Sequence, residues 1–532
     1  MTTFRQSLWD ARYVLMVAGA VLAFKAVFIL LSSIKGLSLT SWIIDDAFIE
    51  MAVSQNIALG YGFTYDFVHP TTGSPFLWTY LMSLCFMLFN QALAVKASLI
   101  FSGFFASLAT IVVYVFTLHI TRHKTAAWLA FLMATFSGNA FLEAVNGMDT
   151  ASFTFFTVLA FALYAGVWTE RLTPMKRGLV TGVAVALALM TRGDGIFVAG
   201  TIGLMQLIQI ARASDRKSAI RLLIGFMATA FIGWAVITIW QISVTGSPFL
   251  ANQIGRREIS LAWHQFSFEN FELLRYLRIV IWNTFELEQL FTVATGSTLL
   301  CLVALMYGYV RKETREAAII TTIYLVSFCG ALVAYQWYFA DFHGLRYINP
   351  AAHLFFMFVA WMFVQLFTGK KAWIPLGIGT LAVVILSLYA FYDLSNKMPW
   401  GHRMSILARP SAEDIADLWE PIEWIKTNVP EGSVLGIRDH GRIALFTGVP
   451  IQDIAGNIDP NIPALLKEPD AGAKLKQYFR DRNVDYLFLL REGKRQDKIY
   501  VTIYDNFELE MIPEASRLDS ILYRIAWEKM DL

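Results

Sequence analysis

The sequence predicts an α-helical polytopic membrane protein with a soluble α/β domain after the last span, and three observations predict it. Hydrophobic residues make up 56% of the 532 and charged residues 16%, against roughly 45–50% and about 25% in soluble domains. Charge is also unevenly placed: residues 1–399 hold 26 Lys or Arg and 19 Asp or Glu, while residues 400–532 hold 17 and 22. The first part, finally, breaks into apolar runs of the ~20 residues that a helix needs to cross hydrocarbon with every backbone group paired internally. A cytosolic globular enzyme, a coiled coil and a disordered chain are excluded. The net charge of +2 gives no support to nucleic-acid binding. Cys85, Cys301 and Cys329 all sit in apolar runs, with no metal spacing and no disulfide framework, and read as packing residues.

Eleven spans are expected, near 13–34, 95–119, 125–142, 150–168, 178–192, 196–211, 222–243, 289–310, 317–337, 348–367 and 373–392. A further apolar piece, Pro75–Asn90, decides the side of everything after it. If it lies in the interface rather than crossing, and the N-terminus is cytoplasmic, 16 of the 26 basic residues before 400 fall in cytoplasmic segments with five acidic ones. That agrees with the positive-inside rule, and the crossing alternative reverses it. The expected location is therefore the plasma (inner) membrane, multi-pass, with the long first loop and the C-terminal domain on the extracytoplasmic, periplasmic side. The run from Tyr13 is too long for a signal-peptide core and reads as an uncleaved first span. The expected division is 1–398, a membrane domain with an outer loop at about 35–94, and 399–532, an α/β domain. In that domain strands are expected at Val434–Ile437, Pro450–Ala455, Tyr486–Leu490, Tyr500–Tyr504 and Ile521–Ala526. Helices are expected near Arg442–Thr447 and Ala473–Arg482.

The polar residues that bear on chemistry lie in the outer loops. Asp45 and Asp46 are adjacent carboxylates just past span one, costly beside a membrane unless solvated or used. Either they cap the helix that follows, or one takes a proton from an attacking hydroxyl while the other orients a substrate hydroxyl or binds a cation. Asp149 begins another span and reads as a cap or as a hard ligand. Arg192 and Asp194 interrupt an apolar hairpin, as a mutual ion pair or as substrate contacts. Arg256, Arg257 and Arg346 offer forks suited to a phosphate, or headgroup contacts. His69 and His343 read as hydrogen-bonded loop residues or as ligands.

Taken in order, Asp45-Asp46, Gly60-Tyr61-Gly62, Thr71–Pro75, Asn146-Gly147-Met148-Asp149, Thr191-Arg192-Gly193-Asp194, Gly246-Ser247-Pro248 with Asn252, and Arg346-Tyr347 resemble the GT-C superfamily. These are polytopic glycosyltransferases that use lipid-phosphate sugars, and the cell-wall arabinofuranosyltransferases and related bacterial membrane transferases are the nearest likeness. Arg192-Gly193-Asp194 departs from the Arg-Pro-Asp or Arg-Thr-Asp often found there. The resemblance implies a transferase that moves a sugar from a polyprenyl-phosphate donor to a glycan, lipid or protein acceptor. It implies Asp45 as general base aided by Asp46. Donor or acceptor would be held by Arg346, Tyr347, Arg192, Asp194, Arg256, Arg257 and His69. Asp149 would be the residue for a divalent cation if one is used; the cofactor itself is not read from the sequence. Two rivals stand beside this reading: a lipid-linked-sugar flippase or transporter, and a noncatalytic envelope-assembly protein. Against the transporter, the hydropathy shows no repeated halves and no paired broken spans.

Overall fold

The computed structural model describes residues 2–39, 43–136, 145–248, 294–334, 349–367, 412–438, 441–456, 458–459, 461–490, 498–516 and 520–530, with 374, 377–379 and 381 between them. These fall into two compact units. One comprises the described parts of Met1–Ser33, Lys96–Val236 and Glu272–Ala408, the other those of Ile34–Val95, Ile237–Phe271 and Arg409–Leu532.

The described residues of the first unit are mainly helical; residues 91–95 and 237–245, at the ends of two of the helices named next, fall in the second unit. Helices α1 (Thr2–Leu31), α5 (Gln91–Thr121), α6 (Lys124–Phe136), α7 (Thr150–Tyr164), α8 (Pro174–Thr191), α9 (Gly195–Arg212), α10 (Arg216–Thr245), α11 (Ala294–Val310), α12 (Arg315–Ala334) and α13 (Asn349–Leu366) follow the expected apolar runs. Among the described residues, five stretches are long and apolar enough to cross a membrane: Arg12–Leu31, Gln91–Thr121, Gly195–Arg212, Arg216–Thr245 and Asn349–Leu366. Phe76–Leu88, Lys124–Phe136, Thr150–Tyr164 and Leu300–Val310 are apolar but shorter, and the expected span 373–392 lies almost wholly outside the described residues. Lipid supplies no hydrophobic drive between helices, so small residues that admit close backbone approach do the packing. A Cβ on Gly178 would sit 2.1 Å from the Leu222 carbonyl oxygen, and one on Gly225 2.3 Å from that of Met175. Thr229 Oγ1 adds a hydrogen bond to the Leu179 carbonyl at 3.0 Å across the same pair, α8 and α10.

The second unit combines three helices of the first loop with the C-terminal α/β domain. The loop helices are α2 (Ile34–Leu39), α3 (Asp45–Ala58) and α4 (Phe76–Leu88). At 13 residues, α4 rises about 20 Å, short of a ~30 Å hydrocarbon core. It buries Trp78, Thr79, Met82 and Ser83 and exposes Tyr80, Leu84, Met87 and Leu88, a one-sided apolar face suited to an interfacial helix. The domain runs α14 (Ala412–Asn428), β1 (Val434–Ile437), α15 (Gly441–Thr447), β2 (Ile451–Asp453), α16 (Asn461–Leu465), α17 (Ala471–Asp481), β3 (Val484–Leu490), α18 (Lys498–Asn506), β4 (Leu509–Ile512), β5 (Ser520–Ile525) and α19 (Trp527–Met530). Its sheet order is β2-β1-β3-β5-β4. The pairs β1–β2 and β1–β3 are parallel, and β3–β5 and β4–β5 antiparallel.

Two strand expectations are corrected. Tyr500–Tyr504 belongs to α18, and β4 at 509–512 was not anticipated. The run Tyr-Val-Thr-Ile-Tyr is rich in strand-forming residues, but Ile499, Tyr500, Ile503 and Phe507 pack together with Leu475 and Phe479 in one core cluster. That spacing is a helical face, so burial overrides local propensity.

Candidate functional site

The acidic pair begins α3. Asp45 and Asp46 occupy its first turn, where the helix dipole favours negative charge. The residue at the cap position is Ile44, which makes no side-chain capping bond, so neither carboxylate is spent on the cap described from sequence. Ala47, Phe48, Met51 and Ala52 are buried below them.

The carboxylate of Asp45 meets the start of α15 instead. Gly441 N donates to Oδ2 at 2.9 Å, while Arg442 N and Arg442 Nε each donate to Oδ1 at 3.2 Å. Glycine is required at 441, because a Cβ there would lie 2.2 Å from the Asp45 carbonyl oxygen and 2.7 Å from Ile49 N. The guanidinium of Arg442 also reaches Ser38 Oγ at 3.4 Å. Aromatic packing supports the contact: Phe446 lies 5.7 Å from Phe48 and 5.0 Å from Trp419, and Lys35 Nζ stands 5.1 Å over the Trp419 ring. Tyr65 is buried nearby. Burial first, and then the charges of Asp45, Asp453 and Asp46, push its phenol well above the usual tyrosine range, so it stays protonated beside these carboxylates.

The loop after α3 turns on Gly60 (φ 90°) and Gly62 (φ 81°), a left-handed backbone that glycine adopts without steric cost. Asn56 Nδ2 fastens the turn to the Thr64 carbonyl at 3.0 Å. Beyond it, His69 Nδ1 sits 2.5 Å from Asp66 Oδ2, and Arg482 Nη1 approaches Asp66 Oδ2 at 3.8 Å and Asp459 Oδ2 at 3.5 Å. Tyr478 donates to Asp459 at 2.5 Å, and Thr71 Oγ1 to the Ile458 carbonyl at 3.1 Å. His69 is therefore a member of a loop-to-domain network through Asp66.

Asp149, Arg192 and Asp194 come together in the first unit. Asp149 and Asp194 hold the cap positions of α7 and α9 but make no side-chain capping bond. Arg192 Nη1 lies 3.2 Å from Asp149 Oδ1, and its Nη2 2.9 Å from Asp194 Oδ2. The guanidinium is 5.6 Å from the Phe153 ring centroid. Of the two sequence alternatives for Arg192 and Asp194, the ion pair is present, and Asp149 shares it. Lys25, the charge within span one, is buried and lines a small cavity with Thr135, Thr154, Asn349 and His353.

Asp149 faces a guanidinium, and among the described residues no group of three or more His, Cys, Asp or Glu is gathered for a metal. Arg256, Arg257, Arg346, Tyr347 and His343 lie outside the described residues. Sequence reading missed Gly441, Arg442, Tyr65 and the Asp66–Arg482–Asp459 group. A Gly-Arg pair opening a helix was the available signal for the first two, but it lay in what read as a separate domain.

Residues 63–245 match the family Dolichyl-phosphate-mannose-protein mannosyltransferase, and residues 411–530 a Domain of unknown function (DUF8728). The first match takes in His69, Asp149, Arg192 and Asp194 and begins after the acidic pair. No curated protein matches the chain. Among solved structures, the chain is similar to ArnT from Cupriavidus metallidurans bound to undecaprenyl phosphate, at 12% identity and a TM-score of 0.55, covering 96% of this chain and 97% of that one. It is also similar to the oligosaccharyltransferase AglB from Archaeoglobus fulgidus in complex with an inhibitory peptide and a dolichol-phosphate, at 13% identity and a TM-score of 0.55, covering 95% and 76%. The A. fulgidus enzyme tethered to an acceptor peptide aligns at 12% identity and a TM-score of 0.56, covering 96% and 74%. The chain thus shares the overall fold of these solved structures, and its residues 63–245 match the mannosyltransferase family model.

Proposed function

We propose that the chain transfers one sugar from a polyprenyl-phosphate carrier to a hydroxyl of an envelope glycan, lipid or protein at the outer face of the membrane, with Asp45 as general base. Two relatives of this fold carry lipid phosphates, undecaprenyl phosphate in ArnT and dolichol-phosphate in AglB, which supports the donor class. Within the chain, the observation that carries the reading is the state of Asp45. Its side chain is 21% exposed, and Oδ2 accepts a single hydrogen bond among the described residues. An ionised carboxylate has about four lone-pair sites, so Oδ2 keeps one for an incoming hydroxyl.

In the proposed step the acceptor oxygen bonds to the anomeric carbon, the bond from that carbon to the phosphate oxygen breaks, and polyprenyl phosphate leaves with the electron pair. The acceptor proton passes to Asp45 Oδ2. Asp46 and the protonated Tyr65 set the charge around that oxygen. Charge on the departing phosphate calls for cationic donors, and Arg346 is the proposed one, with Arg256, Arg257 and Tyr347 as the further candidates for substrate contact. His69, Arg192 and Asp194 are proposed to act on substrate through the loops they brace.

The decisive test supplies purified variants with the lipid-linked sugar that accumulates in membranes of cells lacking the chain. The wild type should consume it and Asp45→Asn should not, while both insert equally. Equal turnover would remove Asp45 from the mechanism and make Asp46 the next base to test. A flippase would instead move the lipid without cleaving it, and an assembly factor would leave it untouched. Sidedness is checked separately. Single cysteines at positions 41 and 431 should both react with an impermeant reagent in intact spheroplasts, and labelling of only one defeats the topology.

A further inference from the structure

We infer that Arg442, carried by the C-terminal domain, is a positioning residue for Asp45, so that the domain is part of the catalytic apparatus. The inference rests on the reading of Asp45 as base. Its physical content is the set of three donors from two consecutive residues. Gly441 N takes Oδ2 at 2.9 Å, and Arg442 N and Nε both take Oδ1 at 3.2 Å. Among the described residues, two bonds fall on Oδ1 and one on Oδ2, an arrangement that fixes the carboxylate plane and turns the less occupied oxygen, Oδ2, to the acceptor. The side chain that does this is itself anchored, through Nη1 to Ser38 Oγ at 3.4 Å.

The contact is built into the packing. Gly441 lies against the α3 backbone at a distance no Cβ tolerates, and Phe446, Phe48 and Trp419 form a ring cluster beside it. A surface arginine meeting an acid by chance needs none of this. Among the described residues, the charged and titratable groups around Asp45 include Asp46 from α3, Tyr65 from the following loop, Asp453 at the end of β2 and Arg442 from α15, with Lys35 of α2 held over Trp419. Among these Arg442 is the cation in direct contact. Its task is to orient the carboxylate through the two hydrogen bonds it gives to Oδ1.

The test separates kcat from KM on the purified full chain in nanodiscs, with the accumulated lipid-linked sugar as substrate. Arg442→Ala should lower kcat roughly ten- to a hundredfold, the order expected of a displaced catalytic group, with KM for the lipid-linked sugar close to wild type. Arg442→Lys should recover only part of kcat, since one ammonium keeps the charge without the fork. If Arg442→Ala does not fold, Arg442→Gln, which keeps a donor and removes the charge, carries the same kcat and KM readouts. A wild-type kcat in the folded Ala or Gln variant, or a raised KM with kcat unchanged, overturns the inference. Asp45→Asn turning over normally overturns the base reading instead, whatever the Arg442 variants show.

Discussion

Two arginine–aspartate contacts lie at helix starts in this chain, and they differ in what each leaves available. At α7 and α9 one guanidinium serves two carboxylates, and the Arg192 and Asp149 side chains are 10% and 4% exposed. At α3 one carboxylate is served by a guanidinium and two backbone amides, and the Arg442 and Asp45 side chains are 26% and 21% exposed. The first arrangement spends its charges on each other, away from water. The second fixes an acid in place and, among the described residues, gives its Oδ2 a single donor. The lesson is that an acid at the head of a membrane helix acquires its role from the donors that meet it, and the two pairs should therefore fail in different ways.

The largest expected effect breaks the comparison at the open pair. Asp45→Asn should lower turnover by roughly 10²–10⁴-fold, the usual contribution of a positioned base, with donor binding nearly unchanged in a lipid-phosphate binding measurement. A drop in binding with normal turnover would assign Asp45 to the substrate instead. The closed pair should fail through stability. Arg192→Ala takes the shared guanidinium from two carboxylates, and breaking a buried pair costs about 3–5 kcal/mol. Thermal unfolding of the purified variant should show this, and an unchanged unfolding temperature would mean that Arg192 is not structural.

A smaller effect is expected at Arg346, the residue proposed to hold the donor phosphate. Arg346→Ala should weaken binding of a synthetic polyprenyl-phosphate sugar by about ten- to a hundredfold, since a hydrogen bond to a charged group contributes ~1.5–3 kcal/mol. Normal binding would pass the role to Arg256 or Arg257. The smallest concerns Tyr65. Because its folded-state pKa is raised, the folded chain keeps a proton that the unfolded chain releases near pH 10. The stability tied to this is fully present below that pH and is lost as pH rises above it. Unfolding midpoints from pH 8 to 11 should therefore fall less steeply in Tyr65→Phe. Parallel curves would show that the phenol does not titrate differently on folding.

Much of the fold was legible in residue order because a membrane span announces itself. Runs such as Arg216–Thr245 must satisfy their own backbone groups, so composition and length place the helix. The sites were legible only by half. Asp45, Asp46 and Asp149 stood out as acids beside spans, and Arg192 with Asp194 as an ion pair two residues apart. Capping was a fair expectation for Asp149 at a helix start, yet the structure shows no side-chain cap there, and its Oδ1 meets the Arg192 guanidinium instead. The strand expected at Tyr500–Tyr504 failed for a related reason, since a core made by other elements outweighed its β-branched composition.

By itself the sequence determined what must be local: which segments are apolar enough for helices, where charge is tolerated, and which loop acids need an explanation. Only the tertiary structure decided which cation each acid receives. Arg442 reaches Asp45 across 397 positions and Arg192 reaches Asp149 across 43. Neither distance leaves a trace in periodicity or spacing, because an ion pair is selected by the packing that brings two elements together, and at Asp45 that packing turns on a glycine whose missing Cβ lets α15 lie against α3.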